Sequence, residues 1–180
     1  EILNSKKSSI ADWNDLITQL ENFQKLHGPE NETLEIAEIL AQIYIQQQNN
    51  PSKSVQLLEQ YNNASLLDKL RLSKAKIALA KVEIANNEMW KSELLLAQVE
   101  KDNSEDAMGQ LAKFLRAELS FFRGDYDWAN MQLDVLKDAT SQLISNDAME
   151  LSLCITDNLG TDSNYAPLNM FSKTLLFFRQ

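Results

Sequence analysis

The side chains able to do chemistry are few and scattered. His27 is the single histidine and stands beside Gly28-Pro29. That position reads as an exposed helix end, where a charged imidazole would suit the helix dipole. Cys154 is the single cysteine, so it forms no internal disulfide. It sits in the apolar run Leu151-Ser152-Leu153-Cys154-Ile155 without the neighbouring cation that a reactive thiolate needs. Glu35 with Glu38, and Glu100 with Asp102, are the carboxylate pairs that general acid–base work would require, but both fall on polar helical stretches where solvation is the default. No Cys/His cluster has metal-ligand spacing, Gly109 and Gly124 are isolated rather than part of a phosphate loop, and no G-x-S-x-G elbow occurs. We therefore expect no catalytic, cofactor-binding or metal-binding residues, and a protein that is not an enzyme.

A basic stretch is more promising for recognition. Lys69, Arg71, Lys74, Lys76 and Lys81 fall in 13 residues without an acid. Arg71, Lys74, Ala78 and Lys81 share one helical stripe, which could hold an acidic peptide or a carboxylate, or be a solvated face balanced by nearby acids. Trp13, Trp90 and Trp128 have apolar helical neighbours and read as packing residues. Phe121-Phe122 and Phe177-Phe178 are adjacent pairs whose side chains point about 100° apart on a helix. One of each pair is then expected in the core, leaving the other to anchor a ligand.

Composition bounds the class of protein. At 180 residues the chain can bury a substantial core within one domain, and 44% hydrophobic content excludes a disordered tail. Four Gly and three Pro are too few for the turns of an all-β protein, so helices are expected. A net charge of −9 argues against a general nucleic-acid binder and against adhesion to an anionic membrane. No apolar run reaches the roughly 18 residues that span a bilayer. The chain does not begin with Met, so an upstream segment is compatible with it.

Apolar spacing divides the chain into nine helical segments, near 9–26, 32–48, 51–61, 65–86, 88–101, 104–123, 125–139, 146–158 and from Pro167 through Gln180. Gly28-Pro29 closes the first, and Pro51 opens the third. Asp102-Asn103-Ser104 is expected to cap the sixth, and Ser145-Asn146-Asp147 to open the eighth. The stretch 159–164 is the most loop-like.

Three turns align: Asn49-Asn50-Pro51, Asn86-Asn87-Glu88 and Arg123-Gly124-Asp125. Small residues follow each, Ser54, Ser92 and Ala129, at spacings of 38 and 37. Leu58, Leu96 and Leu133 come further along each second helix. In the third turn Gly124 can end one helix in the left-handed conformation, and Asp125 can cap the next. Leu119-Ser120-Phe121-Phe122-Arg123-Gly124 is echoed by Leu175-Leu176-Phe177-Phe178-Arg179-Gln180, so the ninth helix reads as the first helix of a further unit.

The helix, Gly124-Asp125-Tyr126 turn and helix with an early Ala129 resemble the tetratricopeptide repeat, whose period of about 34 residues is slightly shorter. The resemblance implies an all-α, right-handed stack of antiparallel helical hairpins, an α-solenoid that binds protein or peptide along its concave face. The first helix of each hairpin lines that face, so the implied groove residues are Lys74, Ile77, Lys81, Phe114, Glu118 and Phe121. Family members that clamp a chaperone's C-terminal carboxylate place Lys and Asn on these helices. Counted from Ala80 and Ala117, the matching places hold Ile77 and Lys81, then Phe114 and Glu118, so that ligand is not implied. Gln132-Leu133-Asp134-Val135-Leu136-Lys137, with the segment from Ser145 to Leu153, resembles part of the large repeat proteins of Bacteroidetes. That resemblance implies an exported protein of the cell envelope or periplasm.

The expectation is a single repeat domain over residues 1–180, part of a longer chain, acting as a protein-binding scaffold without a cofactor. The other readings are a structural spacer in an envelope protein, or the regulatory part of a multidomain enzyme or sensor. The apolar end of the ninth helix, which lacks a polar outer face, implies self-association or cover by a further helix.

Overall fold

The computed structural model describes residues 10–104, 106–158 and 165–179. Among these the chain is all α, with nine helices and no strand: α1 (Ile10–His27), α2 (Leu34–Gln48), α3 (Pro51–Asn62), α4 (Lys69–Ala85), α5 (Met89–Asp102), α6 (Ala107–Arg123), α7 (Tyr126–Leu136), α8 (Gln142–Asn158) and α9 (Ala166–Arg179). The loop-like stretch 159–164 and the helical reading at Gln180 lie outside the described residues. Contacts group the chain into two compact units, residues 1–82 and 83–180.

In the first unit α1 packs on α2, and α2 on α3. Ile17, Leu40, Ile43 and Tyr44 form a core against which Trp13, Leu16, Leu20 and Leu57 close. Gly28, at φ 72, ends α1 as expected of a residue that pays no Cβ penalty in the left-handed region. The following bend is held by polar contacts. The buried Tyr61 hydroxyl donates to Gln24 Oε1, and Thr33 Oγ1 lies 2.7 Å from it. The Gln24 amide bonds the Thr33 carbonyl at 2.9 Å. Paired in this way, these groups avoid the cost of burying an unsatisfied polar atom.

In the second unit α5 packs on α6, α6 on α7, α7 on α8, and α9 on α6 and α8. Between α5 and α6, Arg116 is gripped by Glu93 at 2.7 Å and Glu100 at 2.6 Å. The carboxylate hydrogen bonds hold the guanidinium proton more firmly than usual, against the opposing effect of burial.

The three aligned turns each hold one residue in the left-handed region. Asn49, Asn87 and Gly124 all have positive φ, at 47°, 62° and 85°. Asn and Gly are the residues that tolerate this conformation. Five positions on, Ser54, Ser92 and Ala129 are each 0% exposed. Nine positions on, Leu58, Leu96 and Leu133 are buried, and twelve positions before the turn stand Ala37, Ala75 and Ala112, each 0% exposed. The register places Asn49, not Asn50, at the turn position; Asn50 instead caps α3 by accepting from the Lys53 N–H at 3.1 Å. The second and third turns close with the same bonds, Glu88 N–H to the Glu83 carbonyl and Asp125 N–H to the Ser120 carbonyl.

Several helix ends differ from expectation, for local reasons. Residues 65–68 are not helical; α4 starts at Lys69 because Asp68 accepts from the Arg71 N–H at 2.8 Å and fixes the first turn there. Asp106, rather than the 102–104 stretch, caps α6, taking the N–H groups of Met108 and Gly109. The Asp125 side chain makes no cap; it faces Arg123 Nε at 3.5 Å. The eighth helix opens earlier, at Gln142, and Ser145 is buried within it, bonding the Lys137 carbonyl.

Candidate functional site

The residues implied as a groove fall on both units and do not behave alike. In the first unit Lys74 and Lys81 are exposed on α4, while Ile77 between them is 6% exposed and belongs to the core. Ile77 is therefore removed from the site: an apolar side chain one turn from two lysines turns inward with Ala75 and Ala80. Both lysines act on Glu38 of α2, a half-buried carboxyl. Burial raises the Glu38 pKa, and the attraction of Lys74 and Lys81 offsets this only in part. Glu38 is thus not the freely solvated acid that its polar stretch suggested. The rest of the basic stretch is partly spoken for. Arg71 pairs with Asp68 at 3.3 Å. What remains is a small basic face on α4 with one acid at its edge.

In the second unit Phe114 and Glu118 stand one turn apart on α6, both half-buried. Phe121 is 0% exposed and is not a surface residue. Its ring meets Phe122 at 5.9 Å, Tyr126 edge-on at 5.6 Å and Phe171 of α9 edge-on at 6.4 Å. Helix α9 supplies the cover that a sequence reading of α6 alone does not see. Phe122 is also buried, so neither residue of this pair is left as an anchor. The echo at Phe177-Phe178 is the reverse: these rings are 75% and 80% exposed. Helix α6 has α5 and α7 against it, and the end of α9 has no such cover among the described residues.

Two tryptophans are also corrected. Trp90 and Trp128 are 63% and 54% exposed, so they do not pack in the core. They occupy the first turn of α5 and of α7, where their side chains stay largely open. Trp13 does pack, against the core of the first unit. His27 is exposed at the end of α1, as expected, its ring tilted against Phe23 with centroids 4.4 Å apart. Cys154 is half-buried, and burial with Asp157 and Glu150 nearby pushes its thiol pKa up, away from reactivity.

Sequence reasoning missed one concave feature. A cleft of about 540 Å³ opens at the start of α7, lined by residues 124–128 with Tyr165 and Asn169. Tyr126 anchors it: its hydroxyl donates to Asn169 Oδ1 at 2.7 Å, Ser172 Oγ lies 3.1 Å away, and Tyr165 stacks on its ring at 5.7 Å. The partners come from α9 and from Tyr165 just before it, some 40 residues on, so no local signal could announce them.

Among the described residues no His/Cys/Asp/Glu group could hold a metal ion, and no helix is long and apolar enough to cross a membrane. No family model, curated protein or solved structure matches the chain.

Proposed function

We propose that this chain is a helical-repeat protein of the tetratricopeptide type that binds a protein or peptide partner and carries out no chemistry of its own. The observation that supports this reading is the threefold register of a left-handed turn residue, a fully buried small residue and a buried leucine at 49, 54 and 58, at 87, 92 and 96, and at 124, 129 and 133. Repeated helical hairpins of this kind present side chains for recognition rather than catalysis. The basic face of α4, through Lys74 and Lys81, takes an acidic peptide, and half-buried Glu38 limits how much negative charge it accepts.

Selection from a random peptide library tests both parts. The expected result is enrichment of acid-rich peptides whose binding weakens with added salt, since exposed charges are screened over about 10 Å at 0.1 M. Replacing Lys74 and Lys81 by Glu should abolish that binding without altering the circular dichroism spectrum, and Glu38→Gln should tighten it. Enriched peptides that bind the double variant equally well would overturn the basic face. Failure to enrich any peptide would overturn the binding reading as a whole.

A further inference from the structure

Helix α9 has two apolar faces, and one of them is open. Leu168 and Ser172 are buried, with Leu175 half-buried beside them, on the side that meets α6 and α8. Met170, Phe171, Phe177 and Phe178 are 75%, 46%, 75% and 80% exposed, and Thr174 among them is exposed too. At about 100° per residue these five side chains form one continuous stripe. Phe171 stands at its edge, its ring also against Phe121.

The stripe is symmetric about its middle. Phe171 and Phe177 lie three positions either side of Thr174, and Met170 and Phe178 four positions either side. An antiparallel copy of the same helix, related by a twofold axis at Thr174, sets Phe171 against the partner's Phe177 and Met170 against the partner's Phe178. Self-complementarity of this kind is what a closed two-subunit contact demands. Thr174 suits the centre, where the helices approach most closely. It is small, and its hydroxyl already donates to the Met170 carbonyl at 2.8 Å, so covering it strands no polar group.

Charge points to the same helix. Two copies of a chain of net charge −9 repel each other. Every helix from α1 to α8 carries at least one Asp or Glu, and α9 carries none. The exposed apolar stripe of α7, made by Trp128, Met131 and Val135, is by contrast flanked by Asp127 and Asp134. Aromatic side chains offer roughly 150–250 Å² each, so the α9 stripe presents on the order of 600 Å² per copy, somewhat less than the roughly 800 Å² of a standard stable interface.

We propose that α9 is a homodimer contact, in which two copies of the chain pair antiparallel and weakly through this stripe about a twofold axis at Thr174. The pairing uses neither the α4 face nor the repeat reading.

Sedimentation of the full chain should show a monomer–dimer equilibrium with a dissociation constant on the order of 10–100 μM. Added salt, which screens the repulsion between copies, should not weaken it. Thr174→Glu puts two carboxylates on the axis and should weaken the dimer at least about tenfold. Because Thr174 is exposed, that variant should keep the parent circular dichroism spectrum. Direction is read by oxidative crosslinking in a Cys154→Ser background. Met170→Cys mixed with Phe178→Cys should crosslink. Met170→Cys alone should not, since its two copies lie about 12 Å apart along the helix axis. A parent chain that stays monomeric at about 100 μM would leave the stripe to some other partner and overturn the proposal. A dimer untouched by Thr174→Glu, or Met170→Cys crosslinking to itself as fast as the mixed pair, would overturn the antiparallel contact.

Discussion

Gly109 and Asn103 approach so closely that a Cβ on Gly109 would lie 1.9 Å from the Asn103 carbonyl oxygen and 2.6 Å from its carbonyl carbon. The atoms in the way are backbone, so no side chain can swing aside. Asn103 is itself held by its amide bond to the Val99 carbonyl at 2.9 Å. The turn from α5 into α6 therefore requires glycine, although Gly109 lies inside a helix, where Ala ordinarily adds about 1 kcal/mol of stability. Gly109→Ala should instead destabilise by about 3 kcal/mol, read from urea unfolding. A variant as stable as the parent would contradict the approach.

The third turn makes a graded prediction. Gly124→Val should cost about 1–2 kcal/mol, because a branched residue resists the left-handed region. Gly124→Asn should cost less, since Asn49 and Asn87 hold the same conformation in the other two turns. Ala129→Leu, at a site with 0% exposure, should overpack the hairpin by about 1–3 kcal/mol. Thermal melts that rank Asn below Val would break the equivalence of the turns.

Two carboxyls should shift stability with pH in opposite directions. Glu21 has its pKa lowered, chiefly by the hydrogen bond from Lys53. Its contribution is present above the unfolded value near 4.5 and is lost as pH falls through the lower folded pKa. Glu21→Gln should then destabilise at pH 7, by no more than about 1 kcal/mol for so exposed a pair, and have little effect in strong acid. Glu38 has its pKa raised, chiefly by burial. Its ionisation opposes folding as pH rises from 4.5 through the folded pKa, so Glu38→Gln should stabilise at pH 7 and change little at pH 3. Denaturation midpoints across this range decide both signs.

The end of α9 should associate. Phe177 and Phe178, 75% and 80% exposed, with Met170 at 75%, leave apolar surface of the kind that seeks a partner. Sedimentation at about 100 μM should show concentration-dependent self-association, and Phe177→Lys with Phe178→Lys should remove it. A parent protein that remains monomeric under those conditions would refute this.

What the sequence determined by itself is local. Apolar spacing with few Gly and Pro marks out the helices, because a helix must bury one stripe at a 3.6-residue period. The turns at Asn49, Asn87 and Gly124 were legible because few residues tolerate positive φ, and Ser54, Ser92 and Ala129 because close helix approach demands small side chains. Tertiary structure decided which exposed-looking residues are covered and which core-looking ones are not. Phe121 is buried because α9 returns over it from 50 residues away, whereas Phe177-Phe178, nearly the same local sequence, stays open. Ile77 turned inward between two lysines, Glu38 was drawn into partial burial beside α4, and Trp90 and Trp128 faced outward. The cleft at α7 exists because Tyr126 bonds Asn169 across 43 residues. Spacing along a chain records periodicity within one helix; burial depends on which other helix arrives, and that is a property of packing alone.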